Sequence, residues 1–258
     1  MNFRDEGLIL NIKNYSENSA IIKILSKSHG IYRGFIKNSK SKKFNSIIQI
    51  SNLVSFEFKN RIEENLGSFT NIDLIESKIS KFIFEKIKLD CIQSLLSIIN
   101  DLFLERENLS QLFEKLNDFI NKISNQKISQ NEIIANYIKL EIFILSNLGY
   151  GLDLESCVVT NSKIDLAFVS PKSARAVSFN VGKNYANKLL KLPQFLISEH
   201  IEPDYLSLLD GLKLTEFFIE KFLIPEKNFY NSKQYLFYRN NIRDKITVSP
   251  ISNQLEID

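Results

Sequence analysis

The hydrophobic period of this 258-residue chain changes once, near residue 78, and that change restricts the folds open to it. Before it, apolar residues alternate with polar ones in five short runs: "GLILNIKNY", "SAIIKILSK", "GIYRGFIKN", "NLVSFEFKN" and "LGSFTNIDLIE". Val, Ile, Phe, Tyr and Thr are frequent in them, and Asn, Ser, Gly or Lys bounds each run, as strands and turns require. "SKSHG" reads as a hairpin turn in which Gly30 can take a positive φ. Five strands in so short a segment predict a small barrel, and the OB-fold is the commonest five-stranded barrel that also binds nucleic acid.

After the change, apolar residues recur at spacings of three and four. "ISKFIFEKIKLDCIQSLLSIINDLFLE" and "LSQLFEKLNDFINKI" predict amphipathic helices. In "SQNEIIANYIKLEIFILSNLGYG", Ser129 and Glu132 form a capping box and Gly149 or Gly151 supplies the stop. "EPDYLSLLDGLKLTEFFIEKFL" places Pro203 in a first helical turn. Their apolar faces are read as the core of a helical bundle, with Cys91 a small core residue. The helical pattern lapses between 151 and 181, where short strands and turns are expected, and the polar, aromatic tail after Pro225 yields no assignment. The expected class is α+β, with an OB-fold nucleic-acid-binding domain at 1–78 and a helical domain at 79–258 that carries a β/turn insert at about 151–181.

Charge is distributed unevenly along this plan. Residues 1–60 carry a net +6 and the remainder −3. From Asn18 to Phe56 there is no Asp or Glu, while Lys23, Lys27, Arg33, Lys37, Lys40, Lys42 and Lys43 fall in that window. A polyanion is therefore a plausible partner of the N-terminal part alone. Lys37, Lys40, Lys42 and Lys43 cannot be buried without partners, which predicts an exposed strand and loop. Such a loop either solubilises the domain or tracks phosphates at the mouth of a barrel. Tyr15, Tyr32 and Phe35 are candidate stacking platforms for bases, or core residues. Alternation does not decide which way Arg33 and Lys37 face.

Catalytic signatures are missing. The chain has no GxxxxGK[ST] loop, no GxGxxG, no GxSxG and no HExxH. His29 and His200 are the only histidines; the first reads as a turn residue and the second as a cap or surface residue. Glu63 and Glu64 read as solvated loop charge. No enzyme activity and no cofactor are expected. No apolar run reaches the ~18–20 residues of a membrane span, and the N-terminus lacks a signal-peptide core. Cys91 and Cys157 form no CxxC pair. A reducing, cytoplasmic and nucleoid-associated setting is expected.

The N-terminal stretch resembles the signature of the bacterial RecO recombination mediators. Its elements are Glu6-Gly7, Tyr15, Glu17, Ser19, Ile21, His29-Gly30, Arg33-Gly34 and the basic, Ser-rich Lys37 to Lys43. "GYGLDLESC", "DLAFVSPKSARAVS" and "KLLKLPQFL" are similar to segments of alphaproteobacterial members. The resemblance implies an OB-fold on a helical domain with a small zinc-ribbon-like insert. It implies binding of single- and double-stranded DNA, annealing, a complex with RecR, contact with the C-terminal tail of single-stranded DNA-binding protein, and help in loading RecA. Tyr32, Arg33, Phe35, Lys37, Lys40, Lys42 and Lys43 are then the candidate DNA contacts. The alternative is an OB-fold adaptor for RNA or an acidic protein. Many relatives carry CxxC…CxxC in the insert; the matching positions here are Cys157, Thr160, Ser178 and Val181. One thiol cannot complete a tetrahedral site, so no zinc is expected. Packing of Leu152, Leu154, Val158, Leu166 and Phe168 is expected to hold the degenerate insert together.

Overall fold

The computed structural model of the chain describes all residues except Lys40, 62–65, 79–81, Ile83, Glu199 and 253–258; for Lys43, Asn45 and 247–252 it describes the backbone alone. The chain divides into two compact units, Met1–Asn125 and Gln126–Asp258. Among the described residues the first contains the barrel and three helices; the period change at residue 78 follows the end of the last barrel strand.

Five strands close the barrel: β1 Asn2–Ser16, β2 Ser19–Ser26, β3 Gly30–Lys37, β4 Leu53–Lys59 and β5 Gly67–Glu76. Their order is β1-β2-β3-β5-β4, and β4 returns to β1. All pairs are antiparallel except β3 with β5, which run parallel through Gly34 opposite Gly67 and Phe35 opposite Ser68. Both glycines of this seam are required by space. A Cβ on Gly67 would stand 2.2 Å from the Phe58 ring, and one on Gly34 would stand 3.0 Å from the Gly67 carbonyl oxygen. The interior holds Ile9, Ile22, Ile24, Tyr32, Ile36, Val54, Phe56, Phe58, Phe69 and Ile72. A short helix α1, Lys42–Ile47, follows β3. The Ser41 hydroxyl accepts from Phe44 N–H at its start.

Helices α2 (Lys86–Leu102) and α3 (Ser110–Ile123) complete the first unit, α2 packing on β1 and α3 on β2. The apolar spacing that suggested a helix from residue 79 leads into α2, whose first residue is Lys86; residues 79–81 and Ile83 lie outside the described residues. The loop between α2 and α3 is bound to the start of β3: Arg106 N–H donates to the Ile31 carbonyl at 3.0 Å, and Ile31 and Glu105 form a parallel bridge. Gly30, at φ +84°, leaves no space for a side chain, since a Cβ would fall 1.8 Å from the Glu107 carbonyl oxygen.

The second unit holds α4 (Gln130–Asn147), α5 (Phe179–Gly182), α6 (Tyr205–Phe222) and α7 (Ser232–Ser252), with a three-stranded sheet in the order β7-β6-β8. Its strands are β6 Leu166–Val169, β7 Ala176–Ser178 and β8 Leu190–Lys191, so the insert gains a strand beyond the expected limit of 181. The capping box of α4 is formed as read, with Ser129 accepting from Glu132 N–H, and Gly149 at φ +88° ends the helix. Pro203 does not occupy the first turn of α6. Asp204 is the N-cap, its carboxylate accepting from Ser207 N–H at 2.7 Å, and that bond lowers its pKa.

A fully buried polar network joins α4, α6 and α7. Glu141 accepts from the Tyr137 hydroxyl at 2.6 Å, the Tyr235 hydroxyl at 2.7 Å, Arg239 Nε at 3.0 Å and the Thr215 hydroxyl at 2.5 Å. Arg239 Nη2 also donates to the Leu212 carbonyl at 2.6 Å. Burial and the Glu141 charge raise the pKa of Tyr137 and Tyr235 well above the ordinary range. The tail that sequence left unassigned is thus a helix whose buried stripe reads Tyr235, Arg239, Ile242, Ile246.

Two substitutions test these constraints. Gly67→Ala overfills the barrel seam and should lower stability by about 1–3 kcal/mol in urea denaturation. Arg239→Ala leaves a buried carboxylate without its cation and should cost about 3–5 kcal/mol, read in the transition of the second unit.

Candidate nucleic-acid interface on the barrel

Successive residues of β3 point to opposite sides of its sheet. Tyr32, Gly34 and Ile36 are buried, whereas Arg33 and Lys37 are exposed and Phe35 lies half-buried between them. The question left open by alternation is therefore answered: Arg33, Phe35 and Lys37 share the outer face. Tyr32 lies in the barrel core at 4% exposure, edge-on to Phe58 and Phe3. Its ring belongs to the interior and is not offered to a base. Tyr15 is different. It is 65% exposed and sits edge-to-face on Phe35 with centroids 4.9 Å apart. Register sets Lys13 opposite Ile21 and Ile21 opposite Phe35, so one row across β1, β2 and β3 reads Lys13, Ile21, Phe35. Lys37 lies one step further, opposite Ser19.

The two ends of this outer face differ. Towards the helices, Leu8, Leu10, Leu25 and Ile31 are fully buried yet stand outside the barrel core, on the side that α2 and α3 cover. Basic residues next to them are engaged. Lys23, half-buried, donates to the Asn100 carbonyl; burial lowers its pKa against the pull of Glu105 and Asp101. Arg33 Nε lies 3.3 Å from Glu105 Oε1. The far end, with Lys13, Tyr15, Phe35 and Lys37, is open. Lys42 is exposed in the first turn of α1, and Lys43 belongs to the same turn with its side chain outside the described atoms. Lys40 lies outside the described residues.

His29 serves the β2–β3 turn rather than a ligand. Its ring stacks on Phe3 at 4.0 Å and its Nδ1 lies 3.0 Å from Asp5 Oδ2. Burial pushes the Asp5 carboxyl up, but hydrogen bonds from Ser26, His29, Ser28 N–H and Glu6 N–H outweigh it and hold the group low. An open depression of about 350 Å³ across β1, β4 and β5 is lined by Arg4, Asp5, Ser55, Phe56, Glu57 and Asn71. With two carboxylates against one guanidinium, it does not suit a polyanion.

In the insert, Cys157 is fully buried. Burial raises its thiol pKa, but hydrogen bonds from the hydroxyl and N–H of both Ser178 and Thr160 outweigh that and bring it down to about 6. Asp153 and Arg175 tie the edge of the insert, Nε to Oδ2 at 2.9 Å.

Residues 1–78 match the family "Recombination protein O N terminal" and residues 87–221 match "Recombination protein O C terminal". A DNA repair protein RecO of Rickettsia felis is 41% identical over 234 residues, covering 91% of this chain and 94% of that protein. RecO of Orientia tsutsugamushi is 38% identical over 237 residues, 92% of this chain and 96% of its own length. The chain belongs to the RecO family of DNA repair proteins.

Within the RecO framework, the positions matched to zinc ligands take on a different chemistry. Cys157, Thr160 and Ser178 are brought together by hydrogen bonding. One thiol with two hydroxyls does not fit the nitrogen and sulfur donor set of a structural zinc site. Among the described residues, no group of three or more His, Cys, Asp or Glu could hold a metal ion, and no helix is long and apolar enough to cross a membrane. Sequence reasoning missed Lys13, which lies before the acid-free window, and Glu105, which only the fold brings to Arg33.

The Cys157 thiol provides a pH test. Its folded pKa of about 6 lies below the unfolded value near 9, so the unfolded state binds the extra proton between those pH values. Stability relative to Cys157→Ala should rise from pH 6 to pH 9, and below pH 6 the difference should settle to a pH-independent value set by the lost packing. The thiolate absorbance of the folded protein should titrate with a midpoint near pH 6, and Ser178→Ala should move that midpoint upward.

Proposed function

We propose that this chain is a non-enzymatic, DNA-binding and strand-annealing recombination mediator, with residues 1–78 as its nucleic-acid-binding domain. In this reading it acts with RecR to help load RecA on gapped single-stranded DNA, contacts the C-terminal tail of single-stranded DNA-binding protein, and works in the cytoplasm at the nucleoid. The observation that carries it is the open end of the outer β1–β3 face. An aromatic pair, exposed Tyr15 on half-buried Phe35, is set there with Lys13 and Lys37. OB-folds use that strand face, and single strands are held by a basic track plus stacking platforms. The lysines of residues 37–43 extend the track. The mechanism is electrostatic: the basic face lowers phosphate repulsion between two strands while the bases stay accessible, so complementarity supplies specificity. Family membership supports the DNA repair role.

Annealing of complementary oligonucleotides tests this. If five phosphates are neutralised, the log–log salt slope is about −3.5, and a fourfold rise in salt weakens binding on the order of 10²-fold. Converting Lys37, Lys40, Lys42 and Lys43 to alanine should flatten that slope and slow annealing. Tyr15→Ala with Phe35→Ala should cost about 1–3 kcal/mol per base stacked. Wild-type protein that binds RNA or an acidic protein but anneals no DNA would favour the adaptor reading instead.

A further inference from the structure

Arg33 is the odd member of the outer row. It lies on the outer face of β3 between Ile31, buried under the helices, and half-buried Phe35, and its guanidinium is met by Glu105, a residue of the α2–α3 loop. That carboxylate is held in place by backbone. Glu105 bridges Ile31, the next residue donates to the Ile31 carbonyl, and Gly30 packs against the Glu107 carbonyl. The side chains of Arg33 and Glu105 are nevertheless 57% and 35% exposed, so the pair is reachable by solvent and by a phosphate. Lys23, the register partner of Arg33, is committed to the Asn100 carbonyl. At the helix end of the outer face, acids from elsewhere in the chain thus meet the basic residues, whereas among the described residues none forms an ion pair with Lys13 or Lys37 at the far end.

We propose that Glu105 is an internal phosphate surrogate that occupies Arg33 and confines a bound nucleic acid strand to the Tyr15–Phe35–Lys37 end of the face. The inference rests on the barrel-face reading above. A strand running on past Phe35 towards the helices meets a carboxylate where its next phosphate would sit, so it must displace Glu105 or stop. Glu105 therefore sets the length of strand engaged, and with it both affinity and salt dependence.

The test is binding of an oligothymidylate by the full chain across a salt series, with thermal unfolding to confirm that each variant folds. Glu105→Gln should tighten binding by about threefold, the range of an exposed ion pair. It should also steepen the log–log salt slope by about 0.7, one further phosphate on a single strand. Arg33→Ala alone should leave the slope unchanged, since no phosphate is held there, and adding it to Glu105→Gln should remove the gain. An unchanged slope in Glu105→Gln overturns the proposal, as does a slope lowered by about 0.7 in Arg33→Ala alone, which would mean that Arg33 already holds a phosphate. Lys37→Ala separates the two readings. If it leaves binding unchanged, the barrel-face reading itself fails; if it weakens binding while Glu105→Gln gains nothing, only the surrogate role falls.

Discussion

The parallel seam between β3 and β5 governs what the first unit can offer to a ligand. Two glycines, Gly34 and Gly67, face each other there, and neither can carry a Cβ without driving into Phe58, Phe69 or backbone. Once that register is fixed, the sidedness of β3 follows. Tyr32 and Ile36 go inward, and Arg33, Phe35 and Lys37 go outward. A slip of one residue would bury the charges and expose the core. The chemistry of the outer face is therefore a property of the seam as much as of the basic residues themselves.

The second unit is organised by the opposite device, a buried charge pair. Glu141 and Arg239 are almost wholly withdrawn from water, and the tyrosine and threonine hydroxyls around them satisfy the carboxylate. Such a cluster adds little net stability over an apolar substitute, but it tolerates no missing member. In this packing α7 docks on α4 and α6 with Arg239 set against Glu141 and Arg243 against Glu216.

Much of this was legible in the sequence, and the failures have physical causes. The five strands, the capping box at Ser129 and Glu132 and the buried Cys91 follow from local pattern, because one apolar face suffices to fix them. Tyr32 could not be placed, since a strand's alternation names two faces without saying which one the closed barrel encloses. Helix α7 was hidden because its apolar stripe contains an arginine, and the partner that neutralises it lies on α4. Pro203 stands just outside the helix rather than in its first turn because Asp204 takes the cap. The Glu105–Arg33 pair leaves no local trace because it joins residues distant in sequence, and Thr160 lies close to Cys157 in sequence whereas Ser178 is brought to it by the fold.

The contact of Gly30 with the Glu107 carbonyl has a kinetic consequence. With no side-chain layer between them, the β2–β3 turn and the α2–α3 loop have no room to slide past one another, and a hinge there would have to break the Arg106 to Ile31 hydrogen bond as well. Exchange at Arg33 is then left to side-chain rotation of Glu105, which belongs to the picosecond-to-nanosecond range of exposed rotamers, whereas loop opening is slower by orders of magnitude. A strand arriving at this face would meet no conformational delay, and its rate of capture would be set by diffusion and charge.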